Sequence, residues 1–270
     1  MTQPGPLGTF DVLFITLDTL RNDVAQEAWR AGVTPFFAGL LPPDGWERRH
    51  TPGSFTLAAH LAFFAGFLPT PAVPGRHQRL WACQFGGSET TGQDTLTFDA
   101  PDILSGFAAA GYRTVCIGGV GFFNPATPVG RVLPSYFQES FWSPEMGVTS
   151  VRSTEHQVNL ALEIVASAAR QPLLLFLNVS ALHQPNCIFA PGAERDSKET
   201  MTAALAYVDT QLPPLFAGLR RRRPVLAVVC GDHGTAYGED GYWGHRLAHP
   251  VVWDVPYWEG FLPKAGGGEA

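Results

Sequence analysis

The sequence predicts an α/β fold: a doubly wound, mostly parallel sheet with helices on both faces, in three layers. Four short apolar runs are rich in leucine and β-branched residues and do not alternate with polar positions, as in strands buried on both faces. These predicted strands span residues 12–17, 114–117, 173–179 and 225–230. Helical stretches separate them, which indicates βαβ units and a parallel sheet.

The predicted helices carry apolar residues at helical spacing. They cover residues 34–41, 57–65, 101–110, 153–169 and 198–219. Gly111 is expected to cap the third of them, and Pro213-Pro214 to break or kink the last. The Gly- and Pro-rich stretches 72–97 and 121–149 are expected to form loops or short additions to the sheet.

The length and composition predict one domain with a large core. The chain has 270 residues, 45% of them hydrophobic and only 16% charged, and a chain of this length buries about three quarters of its unfolded surface. No repeat or linker divides it. We therefore expect a single domain over residues 1–263 and a disordered tail over residues 264–270.

The charge balance and the N-terminus exclude several classes of partner. A net charge of −6 argues against nucleic-acid binding, which normally needs a basic surface. The first residues lack a basic segment, and their apolar run is too short for a signal peptide or a membrane span. The four scattered cysteines are expected to be reduced thiols. These features predict a cytoplasmic protein that acts on neither nucleic acid nor membrane; its oligomeric state is left open.

Metal-ligating residues follow three of the predicted strands. Asp18 comes directly after the first, His183 shortly after the third, and Asp232 and His233 after the last, within G-D-H-G. Because ligands of parallel sheets bind beyond the carboxyl ends of the strands, these side chains are expected to share a divalent metal. Taken alone, each aspartate could instead cap a helix, and each histidine could be a hydrogen-bonded residue of the core. The flanking glycines are expected to allow the tight turn that directs both Asp232 and His233 to one ion.

A candidate nucleophile lies at the start of the helix predicted over residues 57–65. Ser54 or Thr56 of T-P-G-S-F-T falls near its N-terminus, where unpaired N–H groups and the helix dipole favour an alkoxide and an anionic ester. The alternative is that either residue only caps the helix. These two roles are compatible.

Five segments, in a fixed order, carry a family resemblance. V-L-F-I-T-L-D-T-L-R-N-D contains Asp18 and is followed by T-P-F-F-A-G-L; Thr56 lies ten residues before Gly66. L-F-L-N-V-S-A-L-H-Q-P contains His183, and His245 in W-G-H lies twelve residues beyond the histidine of G-D-H-G. Over nearly the whole chain this pattern resembles the alkaline phosphatase superfamily, within it the sulfatase-like and phosphoethanolamine-transferase-like branch, and most of all small bacterial sulfatase-like hydrolases.

The resemblance implies an alkaline-phosphatase-like fold and a metal-dependent mechanism. Asp18, Thr56, Asp232 and His233 would bind one divalent ion, with Zn²⁺ or Mn²⁺ expected and Mg²⁺ or Ca²⁺ as alternatives. The ion would activate the Thr56 hydroxyl as the nucleophile toward a phosphate-type ester. The implied protein is a hydrolase or transferase of a small anionic ester.

Four further residues receive roles in substrate handling. The resemblance implies that His183 and His245 contact the substrate and assist the leaving group, or alternatively bind a second ion. It places His60 at the position of a substrate-binding arginine. Arg21 could contact substrate, or pair with Asp23 at the start of a helix.

Two departures from the family leave other functions open. With threonine at position 56 and no C-x-P-S-R, no cysteine can become formylglycine, and the family's adjacent aspartates are reduced to Asp18-Thr19. Hydrolysis of a sulfate or phosphonate ester at the same site, or a degenerate member that binds a phosphorylated ligand without turnover, stay as alternatives. Trp243 could wall the pocket near His245, or simply pack in the interior.

Overall fold

The computed structural model describes residues 5–66, 81–82, 96–97 and 102–266. Its strands, in chain order, are β1 (Asp11–Leu17), β2 (Glu47–His50), β3 (Trp81–Ala82), β4 (Leu96–Thr97), β5 (Arg113–Ile117), β6 (Glu139–Phe141), β7 (Leu173–Val179), β8 (Val225–Gly231), β9 (Ala236–Tyr237), β10 (Trp243–Gly244) and β11 (Asp254–Leu262). Its α-helices are α1 (Asn22–Arg30), α2 (Pro35–Ala38), α3 (Thr56–Ala65), α4 (Ile103–Ala109), α5 (Ser153–Ser167), α6 (Lys198–Gln211), α7 (Pro213–Arg222) and α8 (Pro250–Trp253).

The main sheet has seven strands in the order β2-β11-β8-β1-β7-β5-β6. The strands from β8 to β6 in that order pair in parallel, whereas β11 pairs antiparallel with both β8 and β2. The four strands predicted from apolar runs are β1, β5, β7 and β8, at the centre of this sheet. The mostly parallel α/β fold is therefore confirmed.

Two hydrophobic clusters lie on opposite faces of the sheet, because successive side chains of a strand point to opposite sides. In β1, Leu13 and Ile15 belong to a cluster with residues of α1, α5, α6 and α7. Val12 belongs to a second cluster with Phe64 of α3 and Leu104 of α4. Helices thus cover both faces, which confirms the three layers.

The structure confirms the two helix boundaries that were predicted from glycine and proline. Helix α4 ends just before Gly111, whose φ of +88° is the left-handed conformation that favours glycine. The stretch predicted over 198–219 is two helices, and the second begins at Pro213. Since proline has no N–H to donate, it ends one hydrogen-bonded helix and is accommodated in the first turn of the next.

Helix α1 and strands β2 and β11 are among the elements that were not predicted. Helix α1 is short, and its buried residues Val24, Ala25 and Ala28 lie at helical spacing, so the signal was present but rested mainly on small side chains. Strand β2 reads E-R-R-H and is exposed along its length, and β11 reads D-V-P-Y-W-E-G-F-L. The antiparallel strands β2 and β11 form one edge of the sheet, where a continuous apolar run is not needed.

The stretches predicted as loops or short additions to the sheet do contain short strands. Residues 121–149 contribute β6 to the sheet edge, and within 72–97 strands β3 and β4 pair in parallel; the rest of 72–97 lies outside the described residues. Of the predicted tail, residues 264–266 are described, and Ala265 N donates to Arg220 O at 2.7 Å. The extent of the single domain stays a prediction.

The described part of the chain contains no helix that is both long enough and apolar enough to cross a bilayer. Cys116, Cys187 and Cys230 are free thiols, and the first and last of them are buried. Cys83 lies outside the described residues.

Asp209 caps a neighbouring helix and should contribute measurably to stability. This buried side chain on α6 accepts hydrogen bonds from Phe36 N at 3.0 Å and Phe37 N at 2.8 Å, at the start of α2. Asp209→Ala should lower the free energy of unfolding by about 2 kcal/mol, because these amides lose their acceptors. Asp209→Asn keeps one oxygen and should lose less. Urea denaturation checks both variants, and an unchanged midpoint for the alanine variant would contradict the prediction.

Candidate active site

The carboxyl ends of three neighbouring strands bring the predicted ligands together. Strand β1 lies between β7 and β8, and Leu17 pairs in register with Val179 on one side and Gly231 on the other. The residues that follow Leu17 and Gly231 are Asp18 and Asp232, so the two carboxylates lie next to each other beyond the sheet edge. Both are fully buried.

Each buried carboxylate has one oxygen that is held and one that is unpartnered. Asn178 Nδ2 donates to Asp18 Oδ2 at 3.1 Å, while the amides of Thr19 and His233 donate to Asp232 Oδ1 at 3.0 and 2.9 Å. Among the described residues, Asp18 Oδ1 and Asp232 Oδ2 have no hydrogen-bond partner. Burial raises the pKa of both carboxyls, and the Asp232 charge raises that of Asp18 further. Such a pair is costly without a cation.

His233 presents its Nε2 atom to this pair. Its Nδ1 lies 2.9 Å from Gly234 O, which places the ring proton on Nδ1 and leaves Nε2 as an acceptor. Nε2 lies 3.6 Å from Asp232 Oδ2. Burial lowers the pKa of His233, so the ring is neutral, the form that binds metals.

Thr56 occupies the nucleophile position at the first residue of α3. Its hydroxyl lies 3.4 Å from Asp18 Oδ2 and 3.3 Å from His233 Nε2. The N-cap residue of α3 is Phe55, with no side-chain cap, so the simple capping explanation for Thr56 and Ser54 is wrong. Ser54 is engaged through its backbone oxygen, which accepts from Arg246 N at 2.8 Å. Thr56, not Ser54, therefore joins the cluster.

These side chains fit a divalent cation. Ligand atoms of Asp18, Asp232 and His233 all lie within 4.8 Å of one another. Ligands about 2.0–2.1 Å from a tetrahedral zinc ion are roughly 3.3–3.5 Å apart, which matches the distances from Thr56 Oγ1. Asp18 Oδ1 and Asp232 Oδ2, which have no hydrogen-bond partner among the described residues, are available as negatively charged ligands for such a cation. The described residues contain no second group of three such ligands.

His183 and His245 stand beside His233 but outside this ligand group. The His245 ring centroid is 4.7 Å from that of His233 and 5.9 Å from that of His183. Burial, with His233 and His183 nearby, lowers the pKa of His245 to about 3. His183 Nδ1 donates to Gln184 O at 2.7 Å, which leaves its Nε2 available. Their contact with a substrate stays a prediction.

His60 lies in the core, which corrects its expected contact with substrate. The ring is fully buried; Nδ1 donates to Thr56 O at 2.7 Å, and Nε2 accepts from the Thr16 hydroxyl at 3.0 Å. Burial lowers its pKa to about 3, and the edges of Phe64 and Phe123 pack around it. His60 therefore positions the first turn of α3 and has no free nitrogen for a substrate.

Arg21 is also held away from substrate. Its buried guanidinium donates two hydrogen bonds to Asp23, at 2.9 and 2.8 Å, and others to Glu239 and Thr235 O. The alternative of an ion pair with Asp23 is therefore the one observed. Because Glu239 belongs to the segment between β9 and β10, Arg21 also fixes that hairpin.

The two glycines of G-D-H-G are needed for space and not for a left-handed turn. Neither Gly231 nor Gly234 has a positive φ. A Cβ atom at Gly231 would lie 2.7 Å from Leu20 O, and one at Gly234 would lie 1.9 Å from Val251 O. The expected conformational reason is wrong, and close backbone approach replaces it.

Two residues that the sequence analysis missed also shape the site. Asn178 lies opposite Thr16 in the sheet register and holds Asp18; an amide inside an otherwise apolar strand was the available signal. Arg246 lies next to His245 with a φ of +69°, and its guanidinium is 5.4 Å from the Phe55 ring centroid. No pattern in the sequence distinguished Arg246.

Comparisons with known proteins found similarity in structure only: no family model matches the chain, and no curated protein matches its sequence. The soluble domain of lipooligosaccharide phosphoethanolamine transferase A from Neisseria meningitidis matches with a TM-score of 0.64 and 16% identity, covering 96% of this chain and 79% of that one. The C-terminal periplasmic domain of EptC from Escherichia coli, in a complex with Zn, matches with a TM-score of 0.64 and 11% identity. The match covers 95% of this chain and 74% of that one.

A third match is an alkaline phosphatase superfamily protein from Vibrio parahaemolyticus, with a TM-score of 0.59 and 14% identity. It covers 94% of this chain, and the chain spans 60% of that protein's length. At such identities the similarity concerns the fold.

Proposed function

The chain has the fold of the alkaline phosphatase superfamily, and we propose that it is a metal-dependent enzyme that hydrolyses or transfers phosphate-type esters through Thr56. One observation carries the proposal. The Thr56 hydroxyl lies within 3.4 Å of Asp18 Oδ2 and 3.3 Å of His233 Nε2, beside two buried carboxylate oxygens that lack a partner among the described residues. A binding protein would need neither the hydroxyl nor the costly carboxylates.

The proposed ligands are Asp18, Thr56, Asp232 and His233, and Zn²⁺ or Mn²⁺ suits this mixture of oxygen and imidazole. The zinc complex of the structurally similar EptC domain supports this choice. When bound, the ion would lower the pKa of the Thr56 hydroxyl and offset the charge on the nonbridging oxygens. A second ion at His183 and His245 stays an alternative.

In the proposed reaction Thr56 Oγ1 bonds to phosphorus as the bond to the ester oxygen breaks. The hydroxyl proton passes to Asp18 Oδ2, its acceptor at 3.4 Å. The leaving oxygen takes a proton from His183 or His245. The same histidine then takes a proton from water as the water oxygen bonds to the phosphorus of the phosphothreonine. The bond to Thr56 Oγ1 breaks, Asp18 returns its proton to Thr56, and phosphate is released; an alcohol in place of water makes the protein a transferase.

The negative charge of a bound ester is expected to affect the protonation of the nearby histidines. Without substrate, the pKa of His245 is held near 3 by burial beside His233 and His183. A bound anionic ester favours the protonated form of its neighbours. We therefore propose that ester binding raises the pKa of His245 from this low value, toward the protonated form that can donate to the leaving oxygen.

We extend the proposal to the substrate class and the compartment. The net charge of −6 disfavours nucleic acid and supports a small anionic ester that a metal, not a basic surface, attracts. The free thiols at Cys116, Cys187 and Cys230 support a reducing compartment such as the cytoplasm.

A panel of p-nitrophenyl esters tests the proposed function. Purified protein should turn over the phosphate or the phosphodiester faster than the sulfate or phosphonate, lose the activity to a chelator, and regain it with Zn²⁺ or Mn²⁺. Preference for the sulfate or phosphonate would reassign the ester class. Absence of turnover together with absence of bound metal in elemental analysis would favour the degenerate binder.

A further inference from the structure

A cavity is lined in part by the chain neighbours of His183 and His245. Its volume is about 350 Å³, and its lining includes Gln184, Arg195, Asp196, Tyr237, Trp243 and Gly244. Gln184 follows His183 in the chain, and Gly244 precedes His245. Each histidine proposed to protonate the leaving oxygen is thus the chain neighbour of a residue in the cavity wall, and the two ring centroids are 5.9 Å apart. Its volume falls in the range of small-molecule sites, roughly 300–1,000 Å³.

The Trp243 indole lines this cavity and is largely exposed to solvent. It is 69% exposed, the highest value among the large hydrophobic side chains of the described residues. Its backbone is fixed by pairing with Tyr237 in the β9-β10 hairpin. Its ring packs over Gly238, where a Cβ atom would lie 3.2 Å from Trp243 Cζ2. The indole is thus supported on one side and open on the other, which a merely packed tryptophan would not be.

The hairpin that carries Trp243 is held rigidly against the rest of the site. Arg21 pairs with Glu239, whose other oxygen accepts from Tyr237 N at 2.6 Å. The Tyr237 hydroxyl accepts from Asn186 Nδ2 at 3.0 Å. These contacts tie the cavity wall to α1 and to the segment after β7, so the wall is formed before any ligand binds.

The polar groups of the cavity suit the edge of a planar ring. Gln184 Nε2 donates to Thr235 Oγ1 at 2.8 Å, which leaves its Oε1 free to accept. Arg195 is exposed and forms no ion pair with any described residue. Asp196 also lines the cavity, and its Oδ1 accepts from Cys187 N at 2.8 Å. Arg195 and Asp196 thus offer a donor and an acceptor beside the indole, which suits a heteroaromatic ring that carries both kinds of polar atom at its edge.

We propose that this cavity binds a planar aromatic or heteroaromatic leaving group of the ester, stacked on Trp243. The inference rests on the proposed function, because it uses His183 and His245 to define the leaving-group side. A ring seated there places the ester oxygen next to those histidines and directs phosphorus toward Thr56. Simple aryl phosphates and nucleoside phosphates share this chemistry.

Binding measurements test the stacking independently of turnover. With Zn²⁺ supplied equally, isothermal titration calorimetry should show phenylphosphonate binding about tenfold tighter than methylphosphonate. Trp243→Ala should remove most of that difference, whereas Trp243→Phe should keep it. The matched control is Tyr242→Ala, which removes an adjacent exposed aromatic outside the cavity lining and should change neither affinity.

The outcomes separate this inference from the proposed function. Equal affinities for the two phosphonates, or an unchanged preference in Trp243→Ala, would overturn the stacking proposal even if alkyl phosphates are hydrolysed. A Trp243-dependent preference without turnover of any ester would keep the cavity and reject the enzyme. Adenosine 5′-monophosphate binding tighter than phenyl phosphate would identify a nucleoside as the source of the ring, and the reverse order a simple aryl group.

Discussion

Thr56→Ala is expected to lower kcat for the best ester substrate by about a thousandfold or more, because the variant lacks the oxygen proposed to bond to phosphorus. The hydroxyl is the one group of α3 within 3.4 Å of both Asp18 Oδ2 and His233 Nε2 among the described residues. Thr56→Ser keeps a hydroxyl at this position and should retain much of the activity. Stopped-assay kinetics on purified variants measure both.

Ser54→Ala is the matched control for that loss. Ser54 interacts with Arg246 through its backbone oxygen, which the substitution leaves in place, so kcat should stay within about twofold of the original. Mass spectrometry of acid-quenched reactions should locate phosphate on Thr56. Full turnover of every accepted ester by Thr56→Ala would reject the nucleophile assignment.

Asp232→Asn is expected to have opposite effects on stability with and without metal. In the metal-free protein Asp18 and Asp232 are buried together with one unpartnered oxygen each among the described residues, so removing one charge should raise the free energy of unfolding by about 1 kcal/mol. Asparagine still offers an oxygen to the amides of Thr19 and His233. The same change removes a proposed metal ligand.

Saturating Zn²⁺ or Mn²⁺ should raise the Tm of the unsubstituted protein by roughly 5 °C or more, since a ligand at a hundred times its Kd adds about 2.7 kcal/mol. The Asp232→Asn protein should show almost no rise and almost no ester turnover. Asp209→Asn, which alters a buried carboxylate outside the site, should keep the full metal response. A metal-induced rise that survives Asp232→Asn would refute the ligand assignment.

Much of the site could be predicted because strand ends of a parallel sheet converge irrespective of the intervening loops. Asp18 and Asp232 follow apolar runs that are unmistakable in the sequence, and the register Leu17–Gly231 then brings them side by side. His60 and Arg21 were assigned to substrate because a family position or a charge says nothing of burial. Their partners, Thr16 and Glu239, become neighbours only after folding.

The cavity could not be predicted from the sequence, for a similar reason. Trp243 could wall a pocket or pack, and only the support of Gly238 and the pairing with Tyr237 leave its indole open. Arg246 likewise reaches the nucleophile segment through a left-handed backbone conformation and a hydrogen bond to Ser54. Such features depend on two segments meeting, which local composition does not encode.

The sequence by itself determined the central parallel strands and the sheet edge at which Asp18, Asp232 and His233 meet, and it indicated Thr56 as their neighbour. It could do so because burial on both faces forces continuous apolar runs, and chain direction forces their ends to one side. Only the tertiary structure decided which polar side chains are held by hydrogen bonds within the protein and are therefore not available to a substrate. Arg21 and Glu239 are 218 residues apart in the chain, and only their contact shows that the arginine secures the wall of a cavity instead of meeting the substrate.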